Sequence, residues 1–318
     1  MSSDIEKDDT IANLGWPQRL WVVGPCSGRL GALETIHDQL LDCVQPGEKI
    51  IYTGGYASAS GRYVAVDEIL LFRRLLLARD GFQAHDFVWL RGQEEEAFHR
   101  LFRLPYTYNP TQELAALLAQ GAGRYLNYYG YNLPDVHGVI RSGLASLTRW
   151  IAQLRHQMRA ISAHENFWLA ARRAALVSRH GKEGPVLCVP RGFAPEKSLT
   201  EQGDSWWSDG KLLSLIQKPV RNFSRIIRGR DPAALGMDVG PIVLTLDDAD
   251  GTTPVLAACV HPNGLIEEII SAAPSADEQW VADDSESATT PLPLASQFAA
   301  RLTGQTVAAP FRFSSHAA

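Results

Sequence analysis

The first residues that could do chemistry lie in a short turn near the start of the sequence, residues 24–28, Gly-Pro-Cys-Ser-Gly. A strand-like run at 19–23 precedes this turn, and a helical pattern of apolar residues begins after it at Leu30. Such turns hold phosphates or nucleophiles because the turn backbone and the helix N-terminus converge there. The spacing also matches a nucleophile elbow, so Cys26 is a candidate nucleophile for a hydrolase. Two observations weaken this hypothesis: only about 18 residues precede the strand, and no Asp-then-His arrangement follows.

Charged residues follow the ends of later strand-like runs. Arg91 precedes the acidic run 94–96, and Arg191 and Arg230 each follow a run of apolar residues. A guanidinium group binds phosphate bidentately without a metal ion, so these three arginines are candidate anion-binding residues. In the alternative interpretation, Arg230 pairs internally with the glutamates at 94 or 95 and fills the cleft.

Alternating strands and helices are expected to position these residues. The pattern predicts strands at 19–23, 49–53, 86–90, 186–189 and 224–228. The first three alternate with helices, which predicts a largely parallel sheet whose strand ends lie along one edge, where ligands of such sheets bind. Residues 241–246, 254–260 and 265–269 predict an antiparallel hairpin or meander, with the acidic stretch 247–251 as a hairpin turn rather than a calcium loop.

A helical insertion is predicted at about 105–180. Its last part, about 139–180, carries apolar residues at alternating spacings of three and four, at Leu144, Leu147, Ile151, Leu154, Met158 and Ile161. Two interpretations stay open. The helices pack on their own core with a solvated basic face, or the seam and its arginines form a docking helix for an acidic partner or a second copy.

Composition excludes several classes of protein. The chain has 318 residues and a net charge of −5, and most of the negative charge lies near its two ends. We expect a disordered acidic leader at 1–16, a folded domain at 17–270 and a disordered tail at 271–318. The nearly neutral middle gives no specific signal for nucleic acid, and no apolar run is long enough for a membrane span. Four scattered cysteines without a C-x-x-C pair indicate a reduced, cytoplasmic protein.

The order of the turns resembles the calcineurin-like metallophosphoesterases, in the branch of serine/threonine protein phosphatases and symmetrical dinucleoside tetraphosphatases. In that branch the strand ends read G-D-x-H-G, G-D-x-x-D-R-G, R-G-N-H-E, V-H-A-G and G-H-T-P. The corresponding stretches here are residues 24–28, 54–60, 91–95, 189–192 and 229–232. The resemblance covers about residues 17–270. It implies a metallophosphoesterase-type β-sandwich flanked by helices, an α/β fold.

The same resemblance implies that the metal ligands are missing. The family's ligand positions correspond here to Pro25, Ser27, Gly55, Gln93, Pro190 and Arg230. The histidine that protonates the leaving group corresponds to Glu94, and the phosphate-holding arginine to Ala59. Proline and glycine have no side-chain ligand, and an arginine puts a fixed positive charge where a cation would sit. We therefore expect none of the two divalent metals, such as Mn, Fe or Zn, that the family uses, and no other cofactor.

These observations predict a pseudophosphatase, a catalytically inactive metallophosphoesterase-like protein that acts as a binding, regulatory or scaffolding module. Its expected partners are a protein and, in the cleft, a phosphate or nucleotide. Two alternatives remain: a phosphoprotein or dinucleoside polyphosphate hydrolase with a rebuilt site, using Glu94, Glu95, Asp231 and His137, or a hydrolase that depends on Cys26.

Overall fold

The computed structural model describes residues 10–178, 184–208, 210–211 and 213–274. All of them belong to one compact unit, Met1–Gln279. In this part of the chain, no helix combines the length and the apolar composition needed to cross a membrane.

The described strands form two mixed sheets. The five-stranded sheet has the order β11 (Ile266–Ala272), β10 (Val255–Val260), β2 (Leu20–Val23), β3 (Lys49–Tyr52) and β4 (Phe87–Trp89). The six-stranded sheet has the order β1 (Ile11–Asn13), β5 (Ala174–Val177), β6 (Val186–Val189), β7 (Arg225–Arg228), β9 (Val243–Leu246) and β8 (Met237–Val239). Strands β2, β3 and β4 are parallel, as predicted, and so are β6, β7 and β9.

Within the described residues, every α-helix longer than four residues precedes β5. They are α1 (Leu30–Cys43), α2 (Val66–Leu77), α3 (Gln93–Leu101), α4 (Pro110–Ala119), α5 (Ala122–Tyr128), α6 (Leu133–Arg141), α7 (Leu144–Ala160) and α8 (His164–Ala170). The four-residue helix α9 (Ser205–Ser208) follows β6. An N-cap residue fixes where helix α4 begins. Asn109 precedes Pro110, and its side chain accepts a hydrogen bond from the backbone N–H of Gln112.

The two sheets face each other across an apolar core. Successive side chains of a strand point to opposite faces, so Leu20 and Val22 enter the core between the sheets while Trp21 and Val23 pack under the helices. On the outer face of the six-stranded sheet, Trp206 and Trp207 cover a third apolar cluster. Burying one aliphatic side chain such as Leu20 contributes about 1.5–3 kcal/mol to the stability of the folded state. The architecture is therefore α/β, with two packed sheets flanked by helices, as predicted.

Three described strands, β1, β5 and β8, were not predicted from the sequence. Strand β8 lies just before the predicted run 241–246 and pairs with β9 in the antiparallel sense. Strand β5 lies inside the range predicted as helical. It was missed because its run Ala-Ala-Leu-Val is buried on both faces and therefore shows no alternation of apolar and polar residues. β1 pairs in parallel with β5, so residues 11–13 do not belong to the disordered acidic leader; the acidic composition around them concealed a three-residue strand. Residues 1–9 lie outside the described residues, as does the predicted tail from residue 275 onward, while β11 continues to Ala272.

The predicted hairpin between β9 and β10 is wrong, because these strands belong to different sheets and residues 247–251 carry the chain from one sheet to the other. Asp247 and Asp248 in this connection are buried rather than exposed in a turn. The hairpin of β10 and β11 is confirmed.

The apolar seam on α7 is largely buried. Leu147, Ile151, Leu154 and Met158 join the core cluster beneath the helices, whereas Leu144 is 59% exposed. This arrangement favours the interpretation in which the helices pack on their own core.

Candidate functional site

A cleft of about 260 Å³ opens where several strands end. Its walls come from the residues after β3, β4, β6 and β7 and from the connection between α4 and α5. Because β3 and β4 are parallel in one sheet and β6 and β7 in the other, their carboxyl ends meet at the same edge of the sandwich. The lining residues that the sequence had singled out are Gly55, Gln93, Glu94, Glu95, Pro190, Arg191, Arg230 and Asp231.

Arg230 lies at the centre of this group. Its Nη2 donates a 2.9 Å hydrogen bond to Oγ of Ser27, and its Nη1 lies 3.9 Å from Oδ1 of Asp248. A Cβ atom on Gly55 would lie 3.3 Å from both Nε and Nη2 of Arg230 and 2.7 Å from Cβ of Pro25. The fold thus brings the predicted positions Pro25, Ser27, Gly55 and Arg230 together, and the guanidinium of Arg230 occupies the space beside the other three.

Other predicted positions lie around this centre or outside it. Arg191 donates from Nη1 to Oε1 of Gln93 at 2.9 Å, and Pro190 lines the same wall. Ala59 is exposed and does not line the cleft. Arg91 is buried, and its Nε lies 3.3 Å from Oε2 of Glu96. Unlike Arg191 and Arg230, Arg91 is not among the described residues that line the cleft, because its guanidinium is buried beside Glu96.

Two adjacent glutamates, Glu94 and Glu95, also line the cleft. Glu94 accepts a hydrogen bond of 2.5 Å from Nη1 of Arg124, and burial, together with the carboxylate of Glu95, raises the pKa of Glu94 to about 6. Glu95 is fully buried, and its Oε1 accepts backbone N–H groups of Gly55 and Tyr56, each at 3.0 Å, and the hydroxyl of Tyr125. The second oxygen of each carboxylate is buried and has no hydrogen-bond partner.

Sequence reasoning missed several of these residues. Arg124 comes from the helical insertion, so no motif marks it as a partner for Glu94. Asp248 accepts a 3.0 Å hydrogen bond from Nη2 of Arg29, which also donates from Nε to the carbonyl of Cys26 at 3.1 Å. One signal could have revealed Asp248, since the acidic pair at 247–248 directly follows the buried strand β9, parallel to β7.

The residues present do not fit a pair of divalent ions. Among the described residues, no group of three or more His, Cys, Asp or Glu side chains is arranged to hold a metal. Residues of the alternative rebuilt site are bound by arginines or lie outside the cleft. Arg124 bonds Glu94, and the carboxylate of Asp231 lies 2.9 Å from Nη2 of Arg228. His137 is exposed on α6.

Cys26 is not poised as a nucleophile. Its side chain is 2% exposed, and its Sγ lies 3.7 Å from the carbonyl oxygen of Gly55. Burial raises the pKa of the Cys26 thiol to about 12, so the reactive thiolate is scarce at neutral pH.

No protein-family model matches this sequence, and no curated protein matches it either. Among solved structures, the chain is similar to a cold-active protein-tyrosine phosphatase of a psychrophile, Shewanella sp., with 14% sequence identity and a TM-score of 0.41 over 84% of each chain. A likeness of this size says nothing about the activity of the present chain.

Proposed function

We propose that this protein is a degenerate metallophosphoesterase that no longer hydrolyses phosphoesters and that uses its cleft to bind an anion without a metal ion. One observation carries the proposal: the guanidinium of Arg230 occupies the space bounded by Pro25, Ser27 and Gly55. The family resemblance places metal ligands at these four positions. A fixed positive charge there repels a divalent cation and removes the source of the metal-bound hydroxide.

Arg191 supplies the anion-binding group in this proposal. It lines the cleft, and no carboxylate oxygen of the described residues lies within 4.0 Å of its guanidinium nitrogens. Its Nε is buried without a hydrogen-bond partner, while Nη1 is held by Gln93. An arginine held in this way is oriented to donate charge-assisted hydrogen bonds to an oxyanion such as phosphate.

The first test is a calorimetric titration of metal-free protein with Mn²⁺ and, separately, with inorganic phosphate. We expect no stoichiometric heat with Mn²⁺ and saturable binding with phosphate. The variant Arg191→Met should lose phosphate binding, whereas Arg141→Gln, which removes the same charge from an exposed position on α6, should retain it. One or two equivalents of bound Mn²⁺, followed by hydrolysis in a phosphoester screen, would show that the alternative with a rebuilt metal site is correct.

A protein partner belongs to the same proposal. Arg149, Arg155 and Arg159 are exposed on α7, whose apolar side is largely buried, so this helix offers mainly charge to an acidic partner. Arg159 is also paired with Glu165 at 2.7 Å. Binding through this surface should weaken steeply as salt is raised, because exposed charges are screened.

A further inference from the structure

We infer that the ligand of the cleft is a small zwitterion, whose anionic group contacts Arg191 and whose ammonium group contacts Glu95. The inference rests on the proposed function, since it names the class of ligand for the same cleft. It starts from the six charged residues that line the cleft, which are Arg124, Arg191, Arg230, Glu94, Glu95 and Asp231.

Most of these charges already have partners of opposite sign. Arg124 bonds Glu94 at 2.5 Å, and the carboxylate of Asp231 lies 2.9 Å from Arg228. Arg230 bonds Ser27 and reaches Asp248 at 3.9 Å. Within the described residues, Arg191 and Glu95 are the two lining groups that have no ion pair within 4.0 Å. One is a cation and the other is an anion.

One carboxylate oxygen of Glu95, Oε2, has no hydrogen-bond donor among the described residues. Its side chain is 0% exposed, and three donors hold Oε1, so the carboxylate is fixed in place. Oε2 is buried without a hydrogen-bond partner, which is unfavourable for a charged oxygen. A Cβ atom on Gly92, which also lines the cleft, would lie 2.6 Å from Oε2, so a side chain at position 92 would collide with this oxygen. Oε2 of Glu94 is a second unused acceptor on the same wall.

A polyanion or a nucleotide fits the cleft less well. Three carboxylates line it alongside the three arginines, so a group with several negative charges meets repulsion as well as attraction. None of the described residues that line the cleft is aromatic, so a nucleobase finds no ring among them on which to stack. A volume of about 260 Å³ suits a small molecule with opposite charges at its two ends.

The test compares three ligands by calorimetry at pH 7.5: inorganic phosphate, phosphoethanolamine and phosphocholine. We expect phosphoethanolamine to bind at least about tenfold more tightly than phosphate, because its ammonium donates N–H bonds to the buried carboxylate oxygens. Phosphocholine carries the same charge without an N–H donor, so it should bind no better than phosphate. This comparison uses the unaltered protein and does not depend on whether a variant folds.

Variants then assign the contacts. Glu95→Gln should abolish the preference for phosphoethanolamine and keep phosphate binding, whereas Arg191→Met should lose both ligands. Glu268→Gln, which removes an exposed charge from β11, should change neither affinity. Equal affinities for the three ligands in the unaltered protein would overturn the zwitterion inference and leave anion binding intact. Absence of binding by all three would overturn the proposed function itself.

Discussion

Arg230 and Ser27 are 203 residues apart in the chain, yet the arginine donates a 2.9 Å hydrogen bond to the serine hydroxyl. Ser27 follows β2 in one sheet and Arg230 follows β7 in the other, so this bond joins the two sheets at their common edge. Arg230 also lines the cleft, where it places a permanent positive charge. A guanidinium group is a hydrogen-bond donor, so it offers no lone pair to a metal ion.

The conformation of Gly55 disfavours a side chain at this position. Its φ is +72°, and a Cβ would lie 2.7 Å from Pro25. We expect Gly55→Ala to lower the free energy of unfolding more than Gly130→Ala, which has a similar φ of +81° but no neighbour within 4 Å of its Cβ. Gly130→Ala, the control, should lower the free energy of unfolding by about 1–2 kcal/mol because of its left-handed backbone. Gly55→Ala should lower it by about 1–3 kcal/mol more because the new Cβ is crowded. Urea unfolding measures both, and equal losses would contradict the crowding seen at Gly55.

The hydroxyl of Tyr125 supports the buried carboxylate of Glu95. Tyr125→Phe leaves that carboxylate with one donor fewer, and a hydrogen bond to a charged group is worth about 1.5–3 kcal/mol. We expect the variant to lose stability in this range in chemical denaturation. Tyr131→Phe, at a half-buried tyrosine that packs on Trp150, should cost much less. If both variants were equally stable, the role of Tyr125 as a donor would be wrong.

We expect the ionisation of Asp247 to lower the free energy of unfolding as the pH rises from 4 to 7. Burial, followed by the neighbouring charge of Asp248, raises its pKa to about 6 from an ordinary value of 3.8. The folded state therefore holds this proton more tightly than the unfolded chain, and the resulting stability is present below about pH 4 and is lost as the pH rises towards 6. Asp247→Asn cannot ionise, so its stability relative to the unaltered protein should improve from pH 4 to pH 7.

Urea unfolding across this pH range checks the Asp247 prediction. Asp38→Asn, at an exposed position on α1, serves as the control, and its pH profile should run parallel to that of the unaltered protein. A parallel profile for Asp247→Asn as well would show that Asp247 is not a buried acid of this kind.

Alkylation of the cysteines tests the burial of Cys26. At neutral pH in the native protein we expect iodoacetamide to modify Cys43 first, because Cys43 is half-buried whereas Cys26, Cys188 and Cys259 are buried. Burial also raises the pKa of the Cys26 thiol to about 12, which lowers its thiolate fraction further. Mass spectrometry after short labelling identifies the site. Modification of Cys26 as fast as Cys43 would revive the hypothesis of a cysteine nucleophile.

Local patterns in the sequence determined much of the fold. The strand–helix alternation predicted β2, β3 and β4 and the parallel sheet that they form, because apolar periodicity and connection length are local properties. The same patterns placed Gly55, Gln93 and Arg230 after strand ends, and the parallel arrangement then made their meeting at one edge predictable. The sequence could not separate β5 from a buried helix, since a short strand covered on both faces shows no alternation.

Only the tertiary structure decided how the charges pair. From the sequence, Arg230 could have neutralised the glutamates of α3, but the fold brings Arg124 from the helical insertion to Glu94 and places Arg230 on Ser27. It also turned an expected surface turn into a buried connection that carries Asp248 to Arg29. Ion pairs depend on distances of a few ångströms between segments that are remote in sequence, and the packing of the two sheets sets those distances. The sequence by itself determined which chemical groups are available, and the packing determined that Arg191 and Glu95 line the cleft without an ion pair among the described residues.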